Sequence, residues 1–127
     1  MSPARSIAPF LVALIPLFAA AAEPIVPEAG LQGTWYLAER KMTVEFRKDP
    51  AGTWSARTVA AEEPQLVGRT AFERLAYQPA DGCFTGTLIK PEDGSRHEVT
   101  VTLASPVSMK AVVRKFLFKK TLEFSRK

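Results

Sequence analysis

Between Leu31 and Arg126 the chain alternates apolar and polar residues with a period of two, the spacing of strands that bury one face. Leu31, Gly33, Trp35 and Leu37 share one face of a first strand. Met42, Val44 and Phe46 alternate with Lys41, Thr43, Glu45 and Arg47 in a second. Asp49-Pro50-Ala51-Gly52 reads as a turn, and Thr53 to Ala60 as a third strand around Trp54. Ala61 to Gly68 reads as a longer loop, broken by Glu62-Glu63-Pro64. The segment from Ala71 to Gln78 is ambiguous, because Phe72-Glu73-Arg74-Leu75 also fits one helical turn. Pro79-Ala80-Asp81-Gly82 turns the chain into a strand with Phe84, Gly86 and Leu88 on one face. Pro91-Glu92-Asp93-Gly94 reads as a hairpin turn, followed by His97, Val99, Val101 and Leu103 on a common face. After Ser105-Pro106, Val107, Met109, Ala111 and Val113 alternate with polar residues, and Phe116, Phe118, Leu122 and Phe124 close the series.

About eight short strands joined mostly by tight turns, with no long helix, predict an all-β fold. The simplest arrangement is a small antiparallel up-and-down β-barrel, which removes exposed edges by closing. A barrel of this strand number holds either packed side chains or one small ligand. The barrel is expected over residues 31–127, behind an extended lead-in over residues 23–30 that contains Pro24 and Pro27.

The N-terminus follows a different pattern. Met1 to Ser6 carries one positive charge, Arg5. Ile7 to Ala19 is apolar apart from Pro9 and Pro16, and Ala20-Ala21-Ala22 supplies small residues for a cut. This predicts a cleavable signal peptide over residues 1–22, with cleavage after Ala22. The apolar stretch is shorter than the ~20 residues that cross a bilayer as a helix. The expected product is periplasmic or secreted and has no stable membrane anchor.

The formal net charge is +4, and the signal segment holds only Arg5 of it. From Lys110 to Lys127 there are seven basic residues against one acid, Glu123. These read first as outward residues of the last two strands, and alternatively as a face for anionic lipid or an acidic partner. The one cysteine, Cys83, excludes an intramolecular disulfide, so the core alone must hold the fold.

Cys83 and His97 are the only candidates for a nucleophile and its base. If residues 91–94 form the hairpin loop, Leu88 opposes His97, Gly86 opposes Val99 and Phe84 opposes Val101, and the apolar faces coincide. Cys83 then faces outward, about 16 Å along the ladder from His97, too far for a dyad. One His, one outward Cys and scattered acids do not supply the three or four converging ligands of a metal site. No phosphate-binding glycine loop or serine-nucleophile motif is present. Aromatic and basic residues are not interleaved in a nucleic-acid pattern. A non-enzymatic protein without metal, cofactor or nucleic-acid partner is expected.

His97 faces inward, either as a residue of the barrel mouth or as a ligand contact. Lys120 falls in register with Phe116, Phe118, Leu122 and Phe124 and therefore also points inward, where an ammonium needs a partner. Lys120 or Arg126 can stack on Trp35 as a cation–π clasp between the first and last strands. The alternative is that Lys120 anchors an anionic ligand head group.

Gly33-Thr34-Trp35 resembles the G-x-W start of calycins, the lipocalin-type barrels, in which such a Trp packs beneath a basic residue of the last strand. A longer set of motifs resembles the bacterial exported family DUF2147: Pro64-Gln65-Leu66-Val67-Gly68, then Phe72 and Leu75, then Phe84-Thr85-Gly86-Thr87-Leu88-Ile89 and Pro91-Glu92-Asp93-Gly94. Lys120 and Phe124 are similar to the basic residue and aromatic of that family's last strand. The resemblance runs roughly from Gly33 to Arg126. Trp54-Ser55-Ala56-Arg57 stands where many relatives carry a cysteine and a G-R-I segment. The resemblance implies an envelope-located, calycin-like fold and carries no activity with it.

The leading expectation is a barrel that binds a small apolar or amphipathic molecule. Its inward aromatics are Trp35, Phe46, Trp54, Phe84, Phe118 and Phe124, and its candidate ligand contacts are Trp35, Phe84, His97, Phe118 and Lys120. The alternative is a protein-interaction module or inhibitor acting on an envelope partner through the loop from Ala61 to Thr70 and the basic C-terminal face.

Overall fold

The computed structural model describes residues 26–127, and the signal peptide expected over residues 1–22 lies outside the described residues. Eight strands follow one another: β1 (Gly33–Leu37), β2 (Met42–Lys48), β3 (Trp54–Ala61), β4 (Thr70–Gln78), β5 (Cys83–Ile89), β6 (Arg96–Ser105), β7 (Ser108–Lys115) and β8 (Phe118–Arg126). Each pairs antiparallel with the next, and β8 returns to β1, so the sheet is a closed up-and-down barrel. The closing seam consists of three pairs: Trp35 with Arg126, Tyr36 with Ser125, and Leu37 with Phe124.

The β5–β6 hairpin has the expected register, with Leu88 opposite His97, Gly86 opposite Val99 and Phe84 opposite Val101. Its loop fixes that register: Lys90 N donates to Ser95 O and Gly94 N to Lys90 O, both at 2.8 Å. The Phe72–Leu75 segment is strand, not a helical turn. Arg74 takes φ 54°, and the pairing of β4 with β5 shifts between Glu73 and Ala76. A bulge inserts an extra residue, so Phe72 and Leu75, three apart in sequence, both enter the core. Gly86 lies beneath the bulge, where a Cβ would stand 2.6 Å from the Arg74 carbonyl oxygen.

The barrel has two unlike ends. At one end Glu28–Leu31 forms a 3-10 turn, where sequence reading gave only an extended lead-in. Leu31 is fully buried, and its carbonyl accepts a hydrogen bond from Trp35 Nε1 at 3.0 Å. Trp54 Nε1 donates to Glu28 Oε2 at 2.9 Å. Above this plug the interior is filled with rings. Trp54 meets Phe84 edge-on with centroids 6.2 Å apart, Tyr77 packs on Phe84 at 5.0 Å, and Phe46 on Phe72 at 5.1 Å. Arg57, Glu98, Lys110 and Glu123 lie exposed on the outer face. That polar exterior is unlike a membrane-spanning barrel, which carries an apolar outer band.

Candidate functional site

At the other end the inward positions of four strands change from apolar to basic or imidazole. On β5 Leu88 is followed two residues later by Lys90; on β7 Val113 is followed by Lys115. On β6 His97 precedes Val99, and on β8 Lys120 precedes Leu122. Antiparallel pairing brings all four strand ends to the same mouth. Below them the barrel encloses a cavity of about 310 Å³. Its floor is Val44, Phe72 and Phe124, and its walls are Leu37, Met42, Leu88, Val113 and Leu122. Arg40, Arg69, Lys90, Lys115 and Lys120 form the rim, with Glu39 the one carboxylate among the lining residues.

The rim charges divide into two sets. Lys120 Nζ lies 2.5 Å from Glu39 Oε2, and Arg40 is ion-paired with Glu92. Arg69, Lys90 and Lys115 have no ion-pair partner among the described residues. Two further polar groups join them. His97 Nε2 lies 3.0 Å from Ser95 Oγ. Thr58, almost fully buried, lines the cavity, and its hydroxyl makes no hydrogen bond among the described residues. An apolar well beneath cationic donors suits a molecule with an apolar body and an anionic head.

The five residues singled out from sequence separate into three places. His97 and Lys120 come together at the cavity. Trp35 and Phe84 are fully buried in the plugged half and do not line it. Phe118, expected inside, is 66% exposed. The reason is the length of the last hairpin: β6 pairs with β7 only as far as Val113, and β1 pairs with β8 only from Phe124 onward. Arg114 to Lys119 is therefore a two-stranded ribbon beyond the barrel wall, from which Lys115 reaches the cavity mouth and Phe118 does not. Arg126, not Lys120, forms the clasp on Trp35: its guanidinium carbon lies 4.0 Å from the ring centroid. Lys120 sits at the opposite end. Lys90 and Lys115 were missed, although each continues the inward parity of its strand.

Cys83 opposes Thr102, while His97 opposes Leu88, five ladder positions away. Burial, and then the Asp81 carboxylate, holds the Cys83 thiol above its ordinary range, which disfavours the nucleophilic thiolate. Among the described residues no three His, Cys, Asp or Glu side chains converge on a point that would hold a metal. Comparison with family models, with curated proteins and with solved structures finds no match to this chain.

Proposed function

We propose that this chain is an exported, calycin-like barrel of the DUF2147 kind that binds one small amphipathic molecule with an anionic head, such as a fatty acid. The observation that carries the reading is the asymmetry of the barrel. One end is plugged by Glu28–Leu31 and packed with aromatic rings. The other opens through a basic rim into an apolar cavity of about 310 Å³, within the range of about 300–1,000 Å³ for small-molecule sites. An acyl chain would occupy the space bounded by Phe72, Val113 and Leu122. A carboxylate at the mouth would meet Arg69, Lys90 and Lys115, which supply charge-assisted donors.

Displacement of a fluorescent fatty acid, with native mass spectrometry for stoichiometry, tests the proposal. One equivalent should bind. Lys90→Gln with Lys115→Gln should weaken the fatty acid about tenfold or more, while leaving a long-chain alcohol nearly unaffected. Leu88→Trp should fill the cavity and abolish uptake of both. If the unaltered protein takes up neither acid nor alcohol, or if Leu88→Trp binds as well as the original, the proposal is wrong.

A further inference from the structure

We propose that the tip of the β7–β8 hairpin is a docking element for an anionic lipid surface. Phe116, Leu117 and Phe118 are 96%, 83% and 66% exposed, and they are consecutive. Scattered single apolar residues on a surface are ordinary, whereas a contiguous apolar cluster with a charged border marks a contact site. Here the border is basic. Arg114 and Lys115 precede the cluster, and Lys119 and Lys120 follow it. Arg114 pairs with Glu98 at 3.7 Å and Lys120 with Glu39, while Lys115 and Lys119 have no ion-pair partner among the described residues.

Geometry places these groups in two tiers. Phe116 and Leu117 form the turn, Lys115 stands level with Phe118, and Arg114 and Lys119 form the rung behind them. An acyl–headgroup boundary has the matching order, hydrocarbon first and phosphate behind it. Lys and Arg stems can lie along apolar surface while their heads reach the phosphates.

The turn chemistry supports a selected tip. The β2–β3, β4–β5 and β5–β6 turns use Asp and place Gly52, Gly82 and Gly94 at positive φ. The β7–β8 turn instead places Phe116 at φ 49°. A bulky residue there is a conformational outlier, and such outliers cluster at functional positions. Lys115 belongs both to the ribbon and to the cavity rim, and Lys120 lies at the rim where the ribbon begins, so docking would set the barrel mouth against the lipid. The inference stands apart from the ligand proposal, because it rests on the exterior of the ribbon.

Co-sedimentation of the full chain, as exported, with vesicles of phosphatidylglycerol or phosphatidylcholine tests it. Binding should require phosphatidylglycerol and weaken with salt. A tip variant carrying Phe116→Asn, Leu117→Ser and Phe118→Thr should lose at least tenfold in affinity. It should stay folded, since Asn suits positive φ and all three side chains are exposed. Each basic residue near an anionic surface contributes about fivefold, so Arg114→Gln with Lys119→Gln should cost at least tenfold. Three results would overturn the proposal: no binding by the original protein, equal binding to both vesicles, or unchanged binding by the tip variant. Tip-dependent dimerisation without vesicle binding would also overturn it and assign the cluster to a second copy. Fatty-acid uptake measured on the same tip variant reports the cavity separately.

Discussion

Arg126 concentrates three interactions at the barrel seam. Its guanidinium stacks on Trp35, Nη1 donates to Gln32 O at 2.8 Å, and Nη2 to Gly30 O at 2.6 Å. Gly33 leaves room for it, since a Cβ there would stand 2.9 Å from Nη1. Charge-assisted hydrogen bonds contribute about 1.5–3 kcal/mol and a half-exposed cation–π contact about 1 kcal/mol. The bond to Gln32 is solvent-exposed and adds little, so Arg126→Ala should destabilise the protein by about 2–3 kcal/mol in chemical denaturation. Arg126→Lys should recover only part, because an ammonium cannot both stack flat and bridge two carbonyls. At the plug, the hydrogen bond from Trp54 and then Lys48, 3.2 Å away, hold the Glu28 carboxyl below its ordinary range against the opposing effect of burial. A lowered carboxylate pKa stabilises the fold above the unfolded pKa and loses that contribution as pH falls through the folded one. Glu28→Gln should thus be less stable than the original at neutral pH; the difference should begin to shrink below about pH 4.3, the ordinary Glu value, and vanish only at lower pH. Urea midpoints across a pH series check this. That a basic residue would clasp Trp35 was legible in the sequence. Which of Lys120 and Arg126 does so was not, because parity is the same for both and only the seam register separates them.

Elements were legible where a turn fixed them. The β5–β6 register followed from Pro91-Glu92-Asp93-Gly94 and coincident apolar faces, since a slip by one residue would turn every side chain to the wrong side. In β4 the period-2 signal failed because a bulge mimics the i, i+3 spacing of a helical turn, and Phe72 and Leu75 obey the core, not the alternation. The bulge is coupled to β5 through Gly86, whose Cβ position is occupied by the backbone of Glu73 and Arg74. Gly86→Ala should cost about 1–3 kcal/mol, as overpacking does, read as a lowered denaturation midpoint with the secondary-structure spectrum retained. In β8 the alternation was correct from Lys120 to Arg126 and misleading at Phe118. An inward parity has meaning only where a barrel lies behind the strand, and pairing length is not written in the period.

For the whole molecule, the sequence predicted an eight-stranded closed barrel and left open whether it was hollow. The structure answers by halves: rings fill the plugged half, and an apolar cavity lies beneath the mouth. The basic rim could have been read from strands whose inward positions run from Leu88 to Lys90 and from Val113 to Lys115. What sequence alone could not supply was that alternate connections collect these ends on one side. The seam has a further consequence for how the ring comes together. Every other strand pair joins neighbours in sequence, whereas Trp35 meets Arg126 across ninety-one residues. Closed directly from a flexible chain, a loop of that length would lose about 4 kcal/mol of chain entropy, against about 1 kcal/mol for a four-residue hairpin. The seam is thus the last contact to become favourable and the cheapest place for the ring to part. Parting there would bare β1 and β8 as two unpaired edges, the surfaces on which sheet proteins aggregate. The Trp35–Arg126 clasp therefore protects the protein from its own copies as well as from unfolding.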